Sequence, residues 1–395
     1  MKSVTERVGE VFLAFLKLGL TSFGGPIAHL GYFRQEFVER RKWLDEASYA
    51  DVVALCQFLP GPASSQVGLA IGLSRAGYAG AIAAWTAFTL PSAVALILFA
   101  YGISASGAAL DAGWLHGLKV AAVAVVALAI FGMARNLTPD GPRATIAVIA
   151  LAIVFALPSA FGQIAAIVFG AVAGAIFLRN GAAPPDKAHL PLSVSRFSGM
   201  ICLLVFAALL VGLPLLAATS QNLDIRIFDT FFRVGSLVFG GGHVVLPLLQ
   251  SEVVPPGWVS NDAFLAGYGA AQAVPGPLFT FAAYLGALIG GVQTALLCLV
   301  AIFLPSFLLV AGTMPYWEEL RRRAMANALL RGVNASVVGL LLAAFYNPVW
   351  LAGILTKGDF ALAVADFVLL FLWKTPPWLV VVISAVAGEL LSLAQ

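Results

Sequence analysis

Two cations stand where an apolar chain accommodates them least. Lys17 and Arg233 lie inside hydrophobic segments, each six residues before the phenylalanine of a Phe-Gly-Gly motif, at 23–25 and 239–241. A cation at the centre of a bilayer helix costs about 2.5–3.5 kcal/mol on insertion scales. A bound anion would offset that cost; snorkelling of the long side chains to the interface is the other reading. Hydrogen-bonding groups gather at the same places. Thr21 and Ser22 precede Gly24 and Gly25, and Ser64, Ser65 and Gln66 follow Pro60, Gly61 and Pro62. The second set holds Ser236, Gly240, Gly241, Gly242, His243 and Thr280. Gln57 and Gln272 recur before Pro60-Gly61-Pro62 and Pro275-Gly276-Pro277. Such groups can donate to an oxyanion, although hydroxyls in membrane helices also bond their own backbone, and a buried glutamine can brace a broken helix.

The expected anion-binding set is therefore Lys17, Thr21, Ser22, Gly24, Gly25, Gln57, Pro60, Gly61, Pro62, Ser64, Ser65, Arg233, Gly240, Gly241, Gly242, His243, Gln272, Pro275, Gly276 and Pro277. His29 and His243 could carry protons. Asp51, Asp262 and Asp366 are further candidates for proton coupling, the first two also as helix N-caps. Cys56, Cys202 and Cys298 lie far apart in apolar segments and read as small buried hydrophobes. No metal or other cofactor is expected.

The elements that must position these residues are membrane helices. The 395 residues are 61% hydrophobic and 10% charged, with a mean hydropathy of +0.96, against about 25% charged residues in soluble domains. No Lys, Arg, Asp or Glu occurs between Asp262 and Glu318, or between Arg75 and Asp111. A span needs about 20 apolar residues, so each gap can hold more than one element. The net charge of +3 suggests no nucleic-acid role. Glu6, Glu10 and Lys17 argue against a cleavable leader.

The motifs also recur in order. FLKLGLTSFGG (15–25) aligns with FFRVGSLVFGG (231–241), QFLPGP (57–62) with QAVPGP (272–277), and FTLPSA (88–93) with IFLPSF (302–307). Trp43 and Trp258 lie equally far upstream of the second block. The chain thus reads as a tandem duplication: a first repeat at 1–180, a linker and orientation-inverting helix at 181–227, and a second, inverted repeat at 228–395. Positive charge changes loops between the copies. Arg34, Arg40, Arg41 and Lys42 follow the first broken segment, whereas 249–261 has no Lys or Arg; Arg321–Arg323 and Arg331 answer a cation-free 104–114. The positive-inside rule then places equivalent loops on opposite sides. Lys2 and Arg7 before the first broken segment, and the Arg34–Lys42 cluster after it, make that segment a re-entrant hairpin. Treating all four broken segments so also places Arg75, Arg135, Arg143, Arg179, Lys187, Arg196 and Lys374 inside, with Arg226 and Lys357 outside.

The expected fold is an all-α polytopic membrane protein: an inverted-repeat secondary transporter with four broken, re-entrant helical hairpins and about nine spanning helices, N-terminus inside and C-terminus outside. Broken backbone survives in the bilayer only where protein or a wet cavity covers it. Paired breaks in two inverted copies mark a midplane transport site, and half-helix N-termini there suit an anion.

The stretch 15–93, from FLKLGLTSFGGP through QFLPGPASSQ to FTLPSA, resembles the N-terminal signature of the chromate ion transporter family, and FFRVGSLVFGGGHVVLPLL through QAVPGPLFTFAAYLG to FLPSFLLV (231–310) resembles its second copy. The chain is similar to the family's long, two-repeat form. That resemblance implies export of chromate from the cytoplasm across the bacterial inner membrane, driven by the proton motive force, and chromate resistance. It names sulfate as competitor or alternative substrate and admits proton antiport and a homodimer. The residues alone identify only a small anion. A sulfate or other oxyanion carrier, working as an importer, is the alternative reading; a channel is disfavoured by the duplicated inverted site. An integral membrane enzyme would need paired carboxylates or a His/Asp metal cluster at an interface. The sequence offers neither, and no enzymatic activity is expected.

Overall fold

The computed structural model describes residues 3–106, 112–157, 159–179 and 194–393. Lys2, Lys187 and most of the expected linker at 185–197 lie outside them. All regular structure among the described residues is helical. Six helices are long and apolar enough to cross a bilayer, and 141–156 and 377–393 are shorter apolar helices.

The first repeat opens with α1 (Val4–Thr21), whose N-cap Ser3 forms a capping box with Glu6. The chain breaks at Ser22–Gly24 and returns as α2 (Gly25–Arg34), continued by a π-helical segment, Gln35–Arg40. A second hairpin follows: α3 (Glu46–Phe58), capped by Asp45, then the Pro-Gly-Pro break, then the first part of α4 (Ala63–Ser106). α4 bends at Ala76 and Gly77, where Gly77 takes φ 64°, so its first part is a hairpin arm and its remainder a span. α5 (Gly113–Leu137), α6 (Gly141–Ala156) and α7 (Ala160–Phe177) complete this copy.

α8 (Arg196–Thr219) joins the copies and, within its most apolar window, buries nothing inside the protein. Its start is tied to Tyr78 through Ser198 (2.5 Å) and to Glu319 through Arg196 (2.8 Å). Three residues after its end, α9 (Leu223–Leu237) begins. α1 has its own N-terminal part on the α8 start side, where Arg75 reaches Glu10 at 3.2 Å. At 1.5 Å per residue α8 crosses the molecule, so α1 and α9 start on opposite faces.

The second copy repeats the plan. α9 breaks at Val238–Gly241 and returns through a 3-10 turn into α10 (Val245–Val253). α11 (Asn261–Ala271) breaks at Pro275–Pro277 and returns into α12 (Phe281–Thr313), which bends at Gly290 and Gly291 (φ 79°), the counterparts of Ala76 and Gly77. The short α13 (Trp317–Arg321), then α14 (Ala324–Ala344), the turn α15 (Leu351–Gly353), α16 (Lys357–Phe371) and α17 (Pro377–Leu393) follow.

The copies exchange partners. α5 of the first packs along α17 of the second, and α7 of the first along α14 of the second. Glycines allow both approaches: a Cβ on Gly117 would overlap the Ser384 carbonyl, and one on Gly332 the Gly170 carbonyl. Gly170 and Gly174, a GxxxG pair, therefore serve helix packing. Within each copy, Gly19 and Gly235 bring the first arm onto the carbonyls of Phe88 and Ile302. Among the described residues, Asp51–Arg321 and Lys119–Asp262, both at 2.9 Å, and His116–Asp359 at 3.0 Å bridge the copies. Asp51 and Asp262 are thus ion-pair partners; the N-caps are Asp45 and Ser260.

Candidate functional site

All four breaks meet. The Gly61 N–H donates to the Val238 carbonyl at 2.6 Å, and the Gly276 N–H donates to the Ser22 carbonyl at 2.9 Å. These are equivalent bonds: Gly61 and Gly276 are the glycines of the two Pro-Gly-Pro motifs, and Ser22 and Val238 immediately precede the two Phe-Gly-Gly motifs. Each copy's second break is therefore bound to the other copy's first. A Cβ on Gly242 would lie 3.6 Å from Pro26 and 3.9 Å from Leu278, which joins the two pairs.

The backbone follows from residue type. Gly24 (φ 96°), Gly61 (φ 125°), Gly241 (φ 152°) and Gly276 (φ 96°) occupy conformations that side chains resist. A Cβ on Gly61 would overlap the Ser306 hydroxyl, and one on Gly276 would lie 2.9 Å from Ser92 Oγ. Ser92 and Ser306 are the serines of the two Leu-Pro-Ser motifs, so each stands against the other copy's Pro-Gly-Pro glycine. The returning arms start at Gly25, Ala63, Gly242 and Leu278, which turns four helix N-termini toward one region. The Ser22 and Val238 carbonyls are occupied by the reciprocal bonds, whereas the first N–H groups of a helix have no partner within it.

The side chains divide into engaged and unengaged groups. His29 bonds the Ser22 carbonyl through Nε2 (3.1 Å) and Ser64 Oγ through Nδ1 (3.3 Å). A carbonyl only accepts, so in the neutral ring Nε2 carries the hydrogen and Nδ1 accepts from Ser64. Gln66 donates to the Pro60 carbonyl (2.6 Å) and to Ser306 Oγ (3.4 Å). Gln66, not the exposed Gln57, braces the first Pro-Gly-Pro. His243 bonds Tyr268 at 2.8 Å. Thr21, Ser236 and Thr280 donate to the carbonyls of Lys17, Phe232 and Pro277 in their own segments. Among the described residues, the hydroxyls of Ser22, Ser65 and Thr89 and Gln66 Oε1 are buried without a hydrogen-bond partner. Gly24 and Gly240 are exposed; Gly25, Gly241, Pro275 and Gly276 are half-buried.

Lys17 and Arg233 lie elsewhere, roughly 10 Å along their helices from the glycines at 1.5 Å per residue. Lys17 pairs with Glu36 (3.4 Å), and Arg233 with Glu252 (2.7 Å) and Asp229 (3.0 Å). Glu36 and Glu252 are equivalent positions on the returning arms. Each cation thus ties the two arms of its own hairpin, with a carboxylate as its counter-ion. Glu36 also receives Arg40 (3.0 Å) and Arg41 (2.6 Å). Arg233 borders an open cleft of about 310 Å³ lined also by Arg226, Asp229, Glu252 and Trp258. Glu36 and Glu252 were legible only by carrying the repeat alignment past its motifs, while Ser92 and Ser306 lie inside an aligned block but outside the expected anion-binding set. In the loop between the hairpins, the Ser48 N–H holds the Asp45 carboxyl below its ordinary range.

A duplicated all-α membrane protein whose four broken hairpins converge on one polar centre has the architecture of a secondary transporter. The chain belongs to the chromate transporter family, whose model matches it twice, at residues 9–175 and 225–389. It is 27% identical to a probable chromate transport protein of Synechococcus elongatus, over 95% of this chain and 93% of that one. It is 28% identical to the chromate transport protein of Pseudomonas aeruginosa, covering 95% and 90%. The chromate transport protein of Cupriavidus metallidurans is 26% identical, covering 85% and 81%. These relatives are transporters, not enzymes. No solved structure matches the chain.

Proposed function

We propose that this protein carries chromate out of the cytoplasm, binding it where the four breaks meet. The observation that carries the reading is the reciprocal pair of backbone bonds, Gly61 to Val238 and Gly276 to Ser22. They bring the four breaks, and the helix starts that follow them, together, with the buried hydroxyls of Ser22 and Ser65 in the same segments. Helix N-termini and neutral donors suit a tetrahedral dianion that must also leave: they stabilise it with partial charges. The remaining members of this site are Gly24, Gly25, Gly61, Gly240, Gly241, Gly242 and Gly276, whose missing side chains let the backbone approach, and Ser64 and His243 at its edge. Lys17 and Arg233 act at the hairpin mouths. The names of the relatives supply the substrate; sulfate, the isosteric dianion, is its competitor.

Exchange of the two reciprocal bonds supplies a route to alternating access. Breaking one would free a glycine N–H on one side of the centre while the other still holds. The membrane is the bacterial inner membrane, with the N-terminus cytoplasmic. Outward movement of a dianion down an inside-negative potential gains about 2.3 kcal/mol per charge per 100 mV. Proton antiport would add to this, and a homodimer is compatible with it. The test is chromate flux in inverted and right-side-out vesicles under an imposed potential. We expect accumulation in inverted vesicles that sulfate suppresses. Equal flux of chromate in vesicles lacking the protein would refute transport, and uptake confined to right-side-out vesicles would refute export.

A further inference from the structure

The two hairpin mouths occupy equivalent places in the repeat and differ in charge. At the first, three cations, Lys17, Arg40 and Arg41, converge on the single buried carboxylate of Glu36, leaving an excess of two positive charges. At the second, Arg233 is held between Glu252 and Asp229, and Arg226 lines the same cleft, so two cations face two carboxylates with no positive excess. The copies differ here in sequence: the uncharged Pro255-Pro256-Gly257 stretch stands where the first copy has Arg40 and Arg41, and Asp229 stands where it has Leu13.

We propose that Lys17, Arg40 and Arg41 form a capture site for divalent oxyanions at the mouth of the first hairpin, and that the second mouth lacks one. Arg40 spends one nitrogen, Nη1, on Glu36, and Arg41 spends Nε. The other guanidinium N–H groups remain as donors in a fork that matches an oxyanion. Lys17 and Arg40 are 53% and 60% exposed, so the protein itself leaves room for an anion beside them. Its two charges equal the excess of the cluster. The α1 and α2 arms then lead from this site to the break at Ser22–Gly24. A positive mouth on one side and one without a positive excess on the other favours capture from the first face. Resting on the transport reading above, this makes the first mouth the loading side.

Trp43 gives the site its own reporter, because the Arg41 and Arg75 guanidinium groups lie 5.2 and 5.0 Å from its ring. The full chain in detergent is titrated with sodium sulfate against sodium chloride at constant ionic strength, reading tryptophan fluorescence. We expect a saturable response that Trp43→Phe removes. Arg40→Gln with Arg41→Gln should weaken it at least roughly tenfold, whereas Arg40→Lys with Arg41→Lys keeps it within about threefold. Should the double glutamine variant not fold, Lys17→Gln takes its place with the same expected loss. An unchanged sulfate response in the glutamine variants, or no saturable response in the parent, overturns the proposal. A protein that binds sulfate at Trp43 yet moves no chromate would instead sink the transport reading and leave this site standing.

Discussion

Lys17 and Arg233 occupy one position in two copies, yet their surroundings set different consequences for losing them. Arg233 is 23% exposed and neutralises two carboxylates, one of them, Asp229, buried. Its removal strands both, and stranding buried charge costs about 3–5 kcal/mol. Lys17 is half-exposed and shares Glu36 with two arginines, so its loss falls in the range of about 0–1 kcal/mol for exposed pairs. Arg233→Ala should therefore lower the melting temperature of purified protein sharply, and Lys17→Ala barely; equal shifts would show that the second mouth is not held by its carboxylates. At the centre, Gly61→Ala must fit a methyl group against Ser306 and Gln66 at φ 125°. Such backbone strain costs on the order of 1–3 kcal/mol. We expect chromate protection of cells to be lost while the protein still reaches the membrane.

Between elements, close approach rather than apolar area decides association, since lipid is as apolar as leucine. Gly332 on α14 admits the Gly170 carbonyl of α7, while Gly212 on α8 has open space around its missing side chain. Gly332→Val should destabilise by several kcal/mol and Gly212→Val by less than about 0.5 kcal/mol, compared by thermal unfolding in one detergent. A tolerant Gly332 would mean that the exchanged helix pairs do not hold the copies together. The breaks were legible in the sequence because glycine and proline act locally on the backbone, and Asp45, Ser195, Ser260 and Thr356 cap helices as their types suggest. The roles of Gln66, Ser92 and Ser306 were not legible, because each is defined by a partner from a distant segment. Gln57 and Gln66 are alike in composition and local pattern; only packing distinguishes the exposed one from the brace.

At the scale of the molecule, α8 separates the starts of the two copies, and we expect equivalent loops to face opposite sides of the membrane. Single cysteines at Arg40→Cys and Trp258→Cys, in a background without Cys56, Cys202 and Cys298, should react with an impermeant maleimide from opposite faces of the membrane. Labelling of both from one face would remove the inversion. The sequence by itself determined that this is a duplicated helical membrane protein, where its helices break, and that its cations change loops between the copies. These are properties of composition and local backbone preference, and they repeat along the chain. Only the tertiary structure decided that each Pro-Gly-Pro binds the residue before the other copy's Phe-Gly-Gly, that α5 and α7 cross to α17 and α14, and that the two mouths differ in charge. Those outcomes depend on how one copy is rotated against its inverted twin, and a contact between residues 61 and 238 leaves no periodic trace in either neighbourhood.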